Sequence, residues 1–369
     1  MAVNVERVTG RRDLHRFVTF PWRVYAGDPH WVPPLIGDTK KTLQRHPFHE
    51  HAEVDYFLAR RDDALVGRIA AIRNDRHNQE HDERIAFFGF FEASDAEAAR
   101  ALLGTVESWA AAQELVAVRG PANFSSNEEW GLLVEGFDAP PAIMMTYNPP
   151  RYIDYLEGAG YAKAKDLLAY FLDDPNPSER ILRTAEKMAA RRGVSVRPLN
   201  MKRFEEDVGL VREVYNEAWE QNWGFVSMTE AEIEHMAKEL RPVVKPELIL
   251  LAEKGERPVG FAMALPDYNA AIRHANGRLF PFGLLKILWH ARKIHKLRVL
   301  TLGLVPEMRR TGVEQLLYLR IFQGGQKLGI DEGEMSWILE DNHAMRQGLE
   351  RIGCRAYKTY RIYEKHLTP

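Results

Sequence analysis

The segment LTLGLVPEMRRTGVEQLLYLRIF, residues 300–322, has the pattern of a buried strand that runs directly into a helix. Apolar residues end the strand near Leu304, a proline turns the chain, and helical spacing begins after Gly312. The first N–H groups of such a helix lack partners within the helix, and its dipole favours an anion there. Gly312 has no Cβ atom, and Arg309 and Arg310 add charged donors. The segment therefore predicts an α/β fold with a phosphate-binding turn.

The sequence on either side of this segment contains a duplication. LARRDDALVGRIAA (58–71) aligns with LAEKGERPVGFAMA (251–264), and LEGAGYAKAKDLLAY (156–170) aligns with LERIGCRAYKTYRIY (349–363). Both alignments have an offset of 193 residues, which indicates two copies of one unit. Strands alternate with helices in each copy, so we expect mixed α/β sheets in two tandem domains.

The two copies share one predicted order of elements. It comprises a strand (3–8; 194–199), a hairpin turning at 62–63 or 254–256, a strand (84–92; 297–305), a helix (95–113; 311–328), a strand (115–120; 330–339), a helix (150–159; 343–352) and a last strand. We expect domains at 1–173 and 193–369. Residues 174–192 would form a linker and a helix over 179–191, with Ser178 as its N-cap.

Composition excludes several classes of protein. At about 150 residues per domain, 369 residues suit two domains. The 50 Lys and Arg residues nearly balance the 52 Asp and Glu residues, which argues against a nucleic-acid-binding protein. The single cysteine excludes a disulfide scaffold and a Cys-rich zinc site. The first residues lack the apolar core of a signal peptide, and no apolar run could span a membrane, so we expect a cytoplasmic protein.

The segment 300–322 resembles the acyl-CoA loop of the GNAT acyltransferase superfamily, V–x–P–x–x–R–x–x–G–x–G/A between a strand and a helix. The correspondence includes Pro306, Arg309 and Gly312. It departs at Glu314, whose carboxylate we expect to point away from a bound diphosphate. The resemblance implies that the second copy binds acyl-CoA as a co-substrate, through Leu304, Val305, Arg309, Arg310, Thr311, Gly312, Val313 and Asn342.

The next segment, EDNHAMRQGLERIGC (340–354), resembles the superfamily pattern N–x–x–A–x–x–x–Y–E–x–x–G–F. Asn342, Glu350 and Gly353 match, and the resemblance implies that Asn342 binds the pantetheine or phosphate arm of CoA. Leu349 stands where the family commonly has the Tyr that protonates the departing thiolate. A thiol of pKa about 8.5 is a tolerable leaving group near neutral pH, so we expect the thiolate to leave unassisted.

The first copy reads FFGFFEASDAEAARALL (87–103) at the position of the loop and has no Arg–x–x–Gly, so we expect a degenerate copy. Longer motifs resemble a bacterial family of tandem GNAT-like N-acyltransferases over nearly the whole chain. They are DPHWVPPL (28–35), FFGFFE (87–92), GPANFSSNEEWGLLVEGFD (120–138), YNPPRY (147–152) and KAKDLLAY (163–170). The resemblance implies acyl transfer to an amine, and some members look like bacterial ceramide synthases, which acylate a sphingoid-type amine. A catalytically silent acyl-CoA- or lipid-binding protein and an N-acetyltransferase of a soluble amine remain alternatives.

An insertion in the first copy, residues 121–148, supplies the predicted catalytic residues. Its segment NFSSNEEWG (123–131) concentrates polar side chains. If the copies pack about a pseudo-twofold axis, Glu128 or Glu129, together with Asn127, would face the acceptor and deprotonate the amine, which attacks only when neutral. The alternative is a solvated loop with a structural role.

An insertion in the second copy, residues 269–296, is basic. No acidic residue lies between Asp267 and Glu307, whereas seven basic ones do: Arg273, Arg278, Lys286, Arg292, Lys293, Lys296 and Arg298. Between Asp267 and Glu307, the segment FPFGLLKILWHARKIHKL (280–297) has the spacing of an amphipathic helix, with Leu284 and Leu288 on its apolar side. The helix could contact the inner face of an anionic membrane, bind an anion such as the CoA 3′-phosphate, or pack on the protein and bury those leucines.

Three histidines near the first hairpin, His46, His49 and His51, lie beside Glu50 and Glu53. Without cysteines or an H-E-x-x-H motif, a solvated loop is favoured over a metal site. We therefore expect no metal.

Overall fold

The protein is described from a computed structural model that covers residues 2–173, 179–219 and 222–367. It consists of two compact units. Unit 1 comprises residues 1–167, 271–290 and 358–369, and unit 2 comprises residues 168–270 and 291–357.

The first half of the chain contains the elements of one copy in sequence order. They are β1 (Val3–Arg7), α1 (Gly10–Thr19), α2 (Pro21–Val24), α3 (Ile36–Arg45), β2 (Ala52–Arg61), β3 (Ala64–Asn74), α4 (Asp75–His81), β4 (Ile85–Ala93), α5 (Ala96–Ala111), β5 (Ala117–Gly120), β6 (Ala122–Asn123), β7 (Glu129–Trp130), β8 (Leu132–Glu135), α6 (Tyr152–Gly158) and β9 (Ala162–Leu172).

The second half repeats this order after a connecting helix. Its elements are α7 (Glu179–Arg191), β10 (Val194–Pro198), α8 (Phe204–Trp219), α9 (Glu230–Leu240), β11 (Ile249–Lys254), β12 (Arg257–Pro266), α10 (Asn269–Ile272), α11 (Gly283–Ala291), β13 (Lys296–Leu304), α12 (Val313–Lys327), β14 (Glu332–Leu339), α13 (His343–Arg351) and β15 (Arg355–His366). The predicted elements are confirmed with small shifts at their ends, and Ser178 lies outside the described residues.

Unit 1 is built on a mixed sheet in the order β1-β2-β3-β4-β5-β15. Its strands are antiparallel except for the parallel pair β4–β5. Helix α5 packs on this sheet, and its buried residues include Leu102, Leu103 and Val106. Burial of this apolar face is the main source of stability for the unit.

Unit 2 has the matching sheet order β9-β14-β13-β12-β11-β10. Its strands β13 and β14 are parallel, whereas the pairs β12–β13, β11–β12 and β10–β11 are antiparallel. Its core lies between the sheet and the helices α7, α8 and α12, and includes Leu251, Phe261, Leu317 and Ile321.

The duplication is visible in detail as well as in order. In both copies the first hairpin has a register shift at the same place, at Ala59 in unit 1 and at Ala252 in unit 2. A Cβ on Gly67 would lie 3.5 Å from the Cβ of Ala59, and a Cβ on Gly260 would lie 3.5 Å from that of Ala252. The predicted tandem α/β fold is confirmed.

The compact units depart from the predicted boundaries in two places. Residues 271–290, predicted as part of the second domain, belong to unit 1. They are fixed there because Trp22 Nε1 donates to Asn276 Oδ1 at 2.8 Å and the N–H of Ile36 donates to the carbonyl of Gly277 at 3.0 Å. The predicted long helix over 280–297 is also shorter, since α11 ends at Ala291.

The second departure is an exchange of the last strands. From residue 358 onward β15 belongs to unit 1 and pairs with β5, whereas the end of β9 from residue 168 belongs to unit 2. The Tyr363 hydroxyl donates to Glu157 at 3.0 Å in unit 1, and the Tyr170 hydroxyl donates to Glu350 at 3.1 Å in unit 2. Each unit thus includes part of the last strand of the other copy.

Candidate functional site

The predicted anion-binding turn joins β13 to α12 in unit 2. The N–H of Val305 donates to the carbonyl of Val259 on β12 at 3.1 Å, and Pro306–Met308 form a short 3-10 turn. The buried hydroxyl of Thr311 donates to the carbonyl of Met308 at 2.6 Å. These bonds hold the turn in one conformation ahead of the helix.

Helix α12 starts at this turn without a side-chain cap. Its N-cap residue is Gly312, with a φ of 89°, a left-handed conformation that favours glycine. The N–H groups of the first helical turn have no acceptor within the helix, and they lie at the positive end of its dipole. The start of α12 therefore has the geometry of an anion-binding position.

Most of the side chains predicted to hold CoA face the protein core. Leu304, Val305, Thr311 and Val313 are buried, so a ligand can meet only their backbone groups. A Cβ on Gly312 would lie 2.9 Å from the Cε atom of Met188 on α7. The missing side chain at this position therefore serves packing within the protein as well as backbone conformation.

The two arginines of the turn have different surroundings. The Nη2 atom of Arg309 donates to the carbonyl of Ala218 at 2.9 Å, near the end of α8. Arg310 is exposed, and its side chain has no hydrogen bond or ion pair within residues 2–173, 179–219 and 222–367. Arg310 is thus the cation that can turn toward a bound anion.

The pairing of β13 with β14 ends before β13 reaches this turn. Their pairing runs from Lys296–Glu332 to Val299–Met335 and goes no further, although β13 continues to Leu304. The unpaired side of β13 offers backbone donors and acceptors to a ligand.

The corresponding gap in unit 1 is filled by the chain itself. The N–H of Phe90 on β4 donates to Asn123 Oδ1 at 2.6 Å, so the 121–148 insertion pairs with the strand there. A Cβ on Gly89 would lie 1.8 Å from the carbonyl oxygen of Ala122, which shows how closely the two backbones approach.

The start of α5 in unit 1 is likewise occupied. Asp95 is its N-cap and accepts a hydrogen bond from the N–H of Ala98 at 3.0 Å. Arg61 donates to the Asp95 carboxylate at 2.8 Å, and this hydrogen bond is the largest cause that lowers the pKa of Asp95. A helix start that carries its own carboxylate repels a second anion, in contrast to α12.

Helix α13 follows the parted strands in unit 2. Asn342 is its N-cap, and the side-chain oxygen accepts a hydrogen bond from the N–H of Met345 at 3.2 Å. Leu349, at the position of the family tyrosine, is buried in the core.

On α12, burial is the main cause that raises the pKa of Tyr318, and the Glu314 carboxylate contributes. Glu314 and Tyr318 are one helical turn apart, on the same side of α12.

The predicted catalytic segment of unit 1 forms a small hairpin, β6–β7. Glu128 accepts hydrogen bonds from the hydroxyl and the N–H of Ser125, at 2.6 and 3.0 Å. The N–H of Asn127 donates to the Ser125 hydroxyl at 3.1 Å. Glu129 accepts from Asn123 Nδ2 at 3.0 Å. Glu128 thus closes the loop, whereas Glu129 follows it on β7.

A buried polar cluster lies deeper in unit 1. Glu92, at the end of β4, accepts hydrogen bonds from the hydroxyls of Tyr152 and Tyr25, at 2.8 and 3.2 Å. Arg68 lies 3.7 Å from the Glu92 carboxylate, and the charge of Glu129 also acts on Arg68. Burial is the main cause that raises the pKa of Glu92 to about 7.

Sequence reasoning assigned no role to this cluster. Glu92 and Tyr152 belong to the quoted motifs FFGFFE and YNPPRY, but a single carboxylate after an apolar strand gives no sign of its partners. Tyr25 and Arg68 lie far from both in the sequence. A cluster assembled from four separate elements leaves no spacing signal.

The basic insertion presents its apolar side chains to solvent. Leu284 and Leu288 are 52% and 56% exposed, so the alternative in which they pack on the protein is wrong. Of the seven basic residues, Lys296 forms an ion pair with Asp267 at 2.8 Å, Arg298 is buried on Ser336, and Arg273 donates to the carbonyl of Pro29.

The histidine segment is packed more closely than predicted. Phe48 is fully buried and stacks on Phe124, and the ring of His49 also contacts Phe124, so the expectation of a solvated loop is wrong. Among the described residues, no three His, Cys, Asp or Glu side chains are grouped to hold a metal ion. Nor does that part of the chain contain a helix with the length and apolarity needed to cross a membrane.

Comparison with known proteins identifies relatives of the full chain. No family model matches. The chain is 36% identical over 365 residues to the bacterial ceramide synthase of Caulobacter vibrioides, covering 96% of this chain and 95% of that protein. It is 35% identical over 373 residues to protein YghO of Escherichia coli, covering 98% and 95%.

Solved structures resemble the fold. A tandem GNAT protein from the clavulanic acid biosynthesis pathway has a TM-score of 0.58 at 12% identity, covering 100% of this chain and 99% of that one. A GCN5-related N-acetyltransferase from Sphaerobacter thermophilus has a TM-score of 0.55 at 14% identity, covering 100% and 96%.

Proposed function

Because the chain belongs to the bacterial tandem GNAT-like N-acyltransferase family, we propose that it transfers an acyl group from acyl-CoA to an amine. The observation that carries this proposal is the contrast between the two helix starts. Helix α12 begins at Gly312 without a side-chain cap, beside the exposed Arg310, whereas α5 begins at Asp95, paired with Arg61. This contrast supports a single donor site, in unit 2.

In this proposal the diphosphate of CoA binds at the start of α12. The first N–H groups of the helix donate to its oxygens, and Arg310 supplies the opposite charge. The pantetheine arm extends along the unpaired side of β13, where backbone groups are available. Arg309 supports the turn from behind, through its hydrogen bond to Ala218.

The proposed reaction is a direct transfer. The neutral amine nitrogen forms a bond to the thioester carbonyl carbon, the carbon–sulfur bond breaks, and CoA leaves as a thiolate. The proton lost by nitrogen passes to a carboxylate, and we assign this role to Glu129. Glu128 closes its own loop through two hydrogen bonds from Ser125, whereas Glu129 lies on β7 and accepts from Asn123, and on this difference in position we choose Glu129. Asn127 and Glu128 then shape the loop.

For the acceptor we propose a lipid amine of the sphingoid type, with a fatty acyl group as the donated chain. The support is the named relative, a ceramide synthase that matches nearly the full chain, together with the exposed apolar side chains of α11. We place the enzyme in the cytoplasm, at the inner face of the membrane. A soluble small amine is the second candidate acceptor.

Two variants test the donor and base roles separately. Arg310→Ala should weaken acyl-CoA binding by about tenfold, because it removes one exposed cation near the diphosphate. Lys327→Ala, at the opposite end of α12, is the matched control and should bind normally. Glu129→Gln should lower turnover by about a hundredfold and leave binding unchanged.

Calorimetry with palmitoyl-CoA and mass spectrometry of the acylated amine measure the two effects. Normal binding by Arg310→Ala would contradict the donor site. Full turnover by Glu129→Gln, Glu128→Gln and the double variant would give the loop a structural role. Binding of acyl-CoA without turnover of any amine would identify a silent acyl-CoA-binding protein.

A further inference from the structure

The exposed apolar side chains of unit 1 are concentrated in one short segment. Within the described part of the chain, seven of the eleven exposed large hydrophobic side chains lie between residues 279 and 289. We call residues 279–289 the apolar patch. Its exposed members are Leu279, Phe280, Phe282, Leu284, Leu285, Leu288 and Trp289, each between 41% and 87% exposed. A contiguous apolar surface of this kind marks an interaction site.

Residues next to the apolar patch anchor it to the rest of unit 1. Asn276 accepts a hydrogen bond from Trp22, and a Cβ on Gly277 would lie 2.4 Å from the Trp22 ring. The rings of His274 and His290 stack, with centroids 3.5 Å apart, and this contact fixes the end of α11. The apolar side chains therefore project from an anchored segment.

Exposed basic residues lie in the apolar patch and next to it in the sequence. Arg278 and Lys286 lie within or beside it and are exposed, and Arg292 and Lys293 follow α11 directly in the sequence. Burial, followed by the positive charges of Lys40 on α3 and of Arg278, lowers the pKa of His15 on α1, so both cations lie near that histidine.

The acidic side chains on α1 and α3 already have partners. Asp13 accepts a hydrogen bond from Arg16 at 3.1 Å, and Asp38 lies 3.7 Å from Lys41. The acidic side chains of α1 and α3 are therefore already paired, and the exposed cations Arg278 and Lys286 remain in and next to the apolar patch.

We propose that this part of unit 1 binds the surface of an anionic phospholipid membrane, with the apolar patch inserted between the headgroups. Aromatic and leucine side chains enter the interface, and these cations meet lipid phosphates. The charge argues against a second copy of the chain as the occupant. A twofold contact would place the cations of one apolar patch against those of the other.

This inference rests on the proposed function for its biological role, because binding to the membrane surface would bring the enzyme to a lipid amine. The binding itself is independent of catalysis. It can therefore fail while acyl transfer persists, and the reverse also holds.

The experiment is sedimentation of the full-length protein with two kinds of vesicle, phosphatidylcholine alone and phosphatidylcholine mixed equally with phosphatidylglycerol. We expect binding to the mixed vesicles at least tenfold stronger than to the neutral ones, and weaker at high salt. The triple variant F280S/F282S/W289S should reduce binding to mixed vesicles at least tenfold. Arg278→Gln with Lys286→Gln and Lys293→Gln should remove the preference for the anionic lipid.

The matched control is Val116→Ser with Leu328→Ser, two exposed apolar side chains outside the apolar patch. It should bind vesicles as the unmodified protein does. Circular dichroism and thermal unfolding check that each variant is folded.

Equal binding to both vesicle types, or unchanged binding by the triple variant, would overturn the proposal. A dimer in analytical ultracentrifugation that the triple variant abolishes would assign the apolar patch to a second copy instead. Vesicle binding without acyl transfer would leave this inference standing and contradict the proposed function.

Discussion

Burial controls the charge of individual side chains in this protein, and Glu92 is the clearest case. It lies among Tyr25, Tyr152 and Arg68, with its pKa raised to about 7. The ordinary pKa of a glutamate is 4.5, so the folded state binds a proton more tightly than the unfolded state does. The contribution of Glu92 protonation to the free energy of unfolding is therefore complete below pH 4.5, and it is lost as pH rises through about 7.

Glu92→Gln should remove this pH dependence, because an amide of the same shape does not titrate. We expect the melting temperature of the natural protein to fall relative to that of the variant between pH 5 and pH 8. Thermal unfolding of both proteins across that range, in buffers of equal ionic strength, measures the difference. Parallel curves would mean that Glu92 has an ordinary pKa.

The sequence predicts some site residues better than others, for a physical reason. The turn at Gly312 and Arg310 follows a local pattern, since a strand, a turn and a helix start occupy consecutive residues. The packing of Met188 against Gly312 and the pairing of Glu92 with Arg68 join residues distant in the sequence. Contacts of that kind leave no local pattern, and the structure is needed to find them.

At the scale of elements, the two copies differ at the place where two neighbouring strands part: the gap is filled in unit 1 and open in unit 2. In unit 1 the backbone of Ala122 lies against Gly89 of β4, and Asn123 accepts from Phe90. In unit 2 the side of β13 facing β14 is unpaired beyond Val299. The insertion of residues 121–148 therefore supplies polar side chains and also fills the gap beside β4.

Two glycine substitutions test this packing. Gly89→Ala should destabilise the protein by about 2 kcal/mol or more, because a Cβ would lie 1.8 Å from the Ala122 carbonyl oxygen. Gly104→Ala is the control, since it lies within α5 and its Cβ would meet nothing within 4 Å. It should stabilise the protein by roughly 0.5 to 1 kcal/mol.

Urea unfolding of the two variants gives the comparison directly. An unchanged midpoint for Gly89→Ala would mean that the insertion does not fill the gap in solution.

Periodicity predicted the strands and helices well, because apolar spacing and turn residues act locally. The hairpin turns at 62–63 and 254–256 lie where the sequence places them. The helix over 280–297 was predicted too long because the apolar spacing continues past Ala291 to Ile294, which is buried outside the helix. Spacing alone does not distinguish a helical residue from a buried one that follows it.

At the scale of the molecule, each unit includes residues from the last strand of the other copy. Residues from 358 onward complete the sheet of unit 1, and Tyr170 and Leu172 of β9 lie in the core of unit 2. The repeat at an offset of 193 residues predicts the last strands but not which unit each one joins. Both copies offer the same pairing chemistry, so the sequence is silent on that choice.

Neither half should therefore fold alone. A chain of residues 1–173 leaves β5 without its partner β15, and a chain of residues 179–369 lacks the part of β9 that belongs to unit 2. We expect each half to be insoluble when expressed separately and soluble when the two are expressed together. Gel filtration and circular dichroism report the outcome. Two soluble halves with cooperative unfolding would contradict the exchange.

The exchange also determines when unit 1 can finish folding during biosynthesis. A ribosome completes residues 1–167 early, yet unit 1 waits for the part of β15 from residue 358 onward. At 5 to 20 residues per second, the intervening synthesis takes roughly 10 to 40 s. During that interval the nascent chain carries an unpaired edge at β5, where a neighbouring polypeptide could add a strand of its own. Translation speed and chaperone capture across this window thus influence how much of the protein reaches its native state.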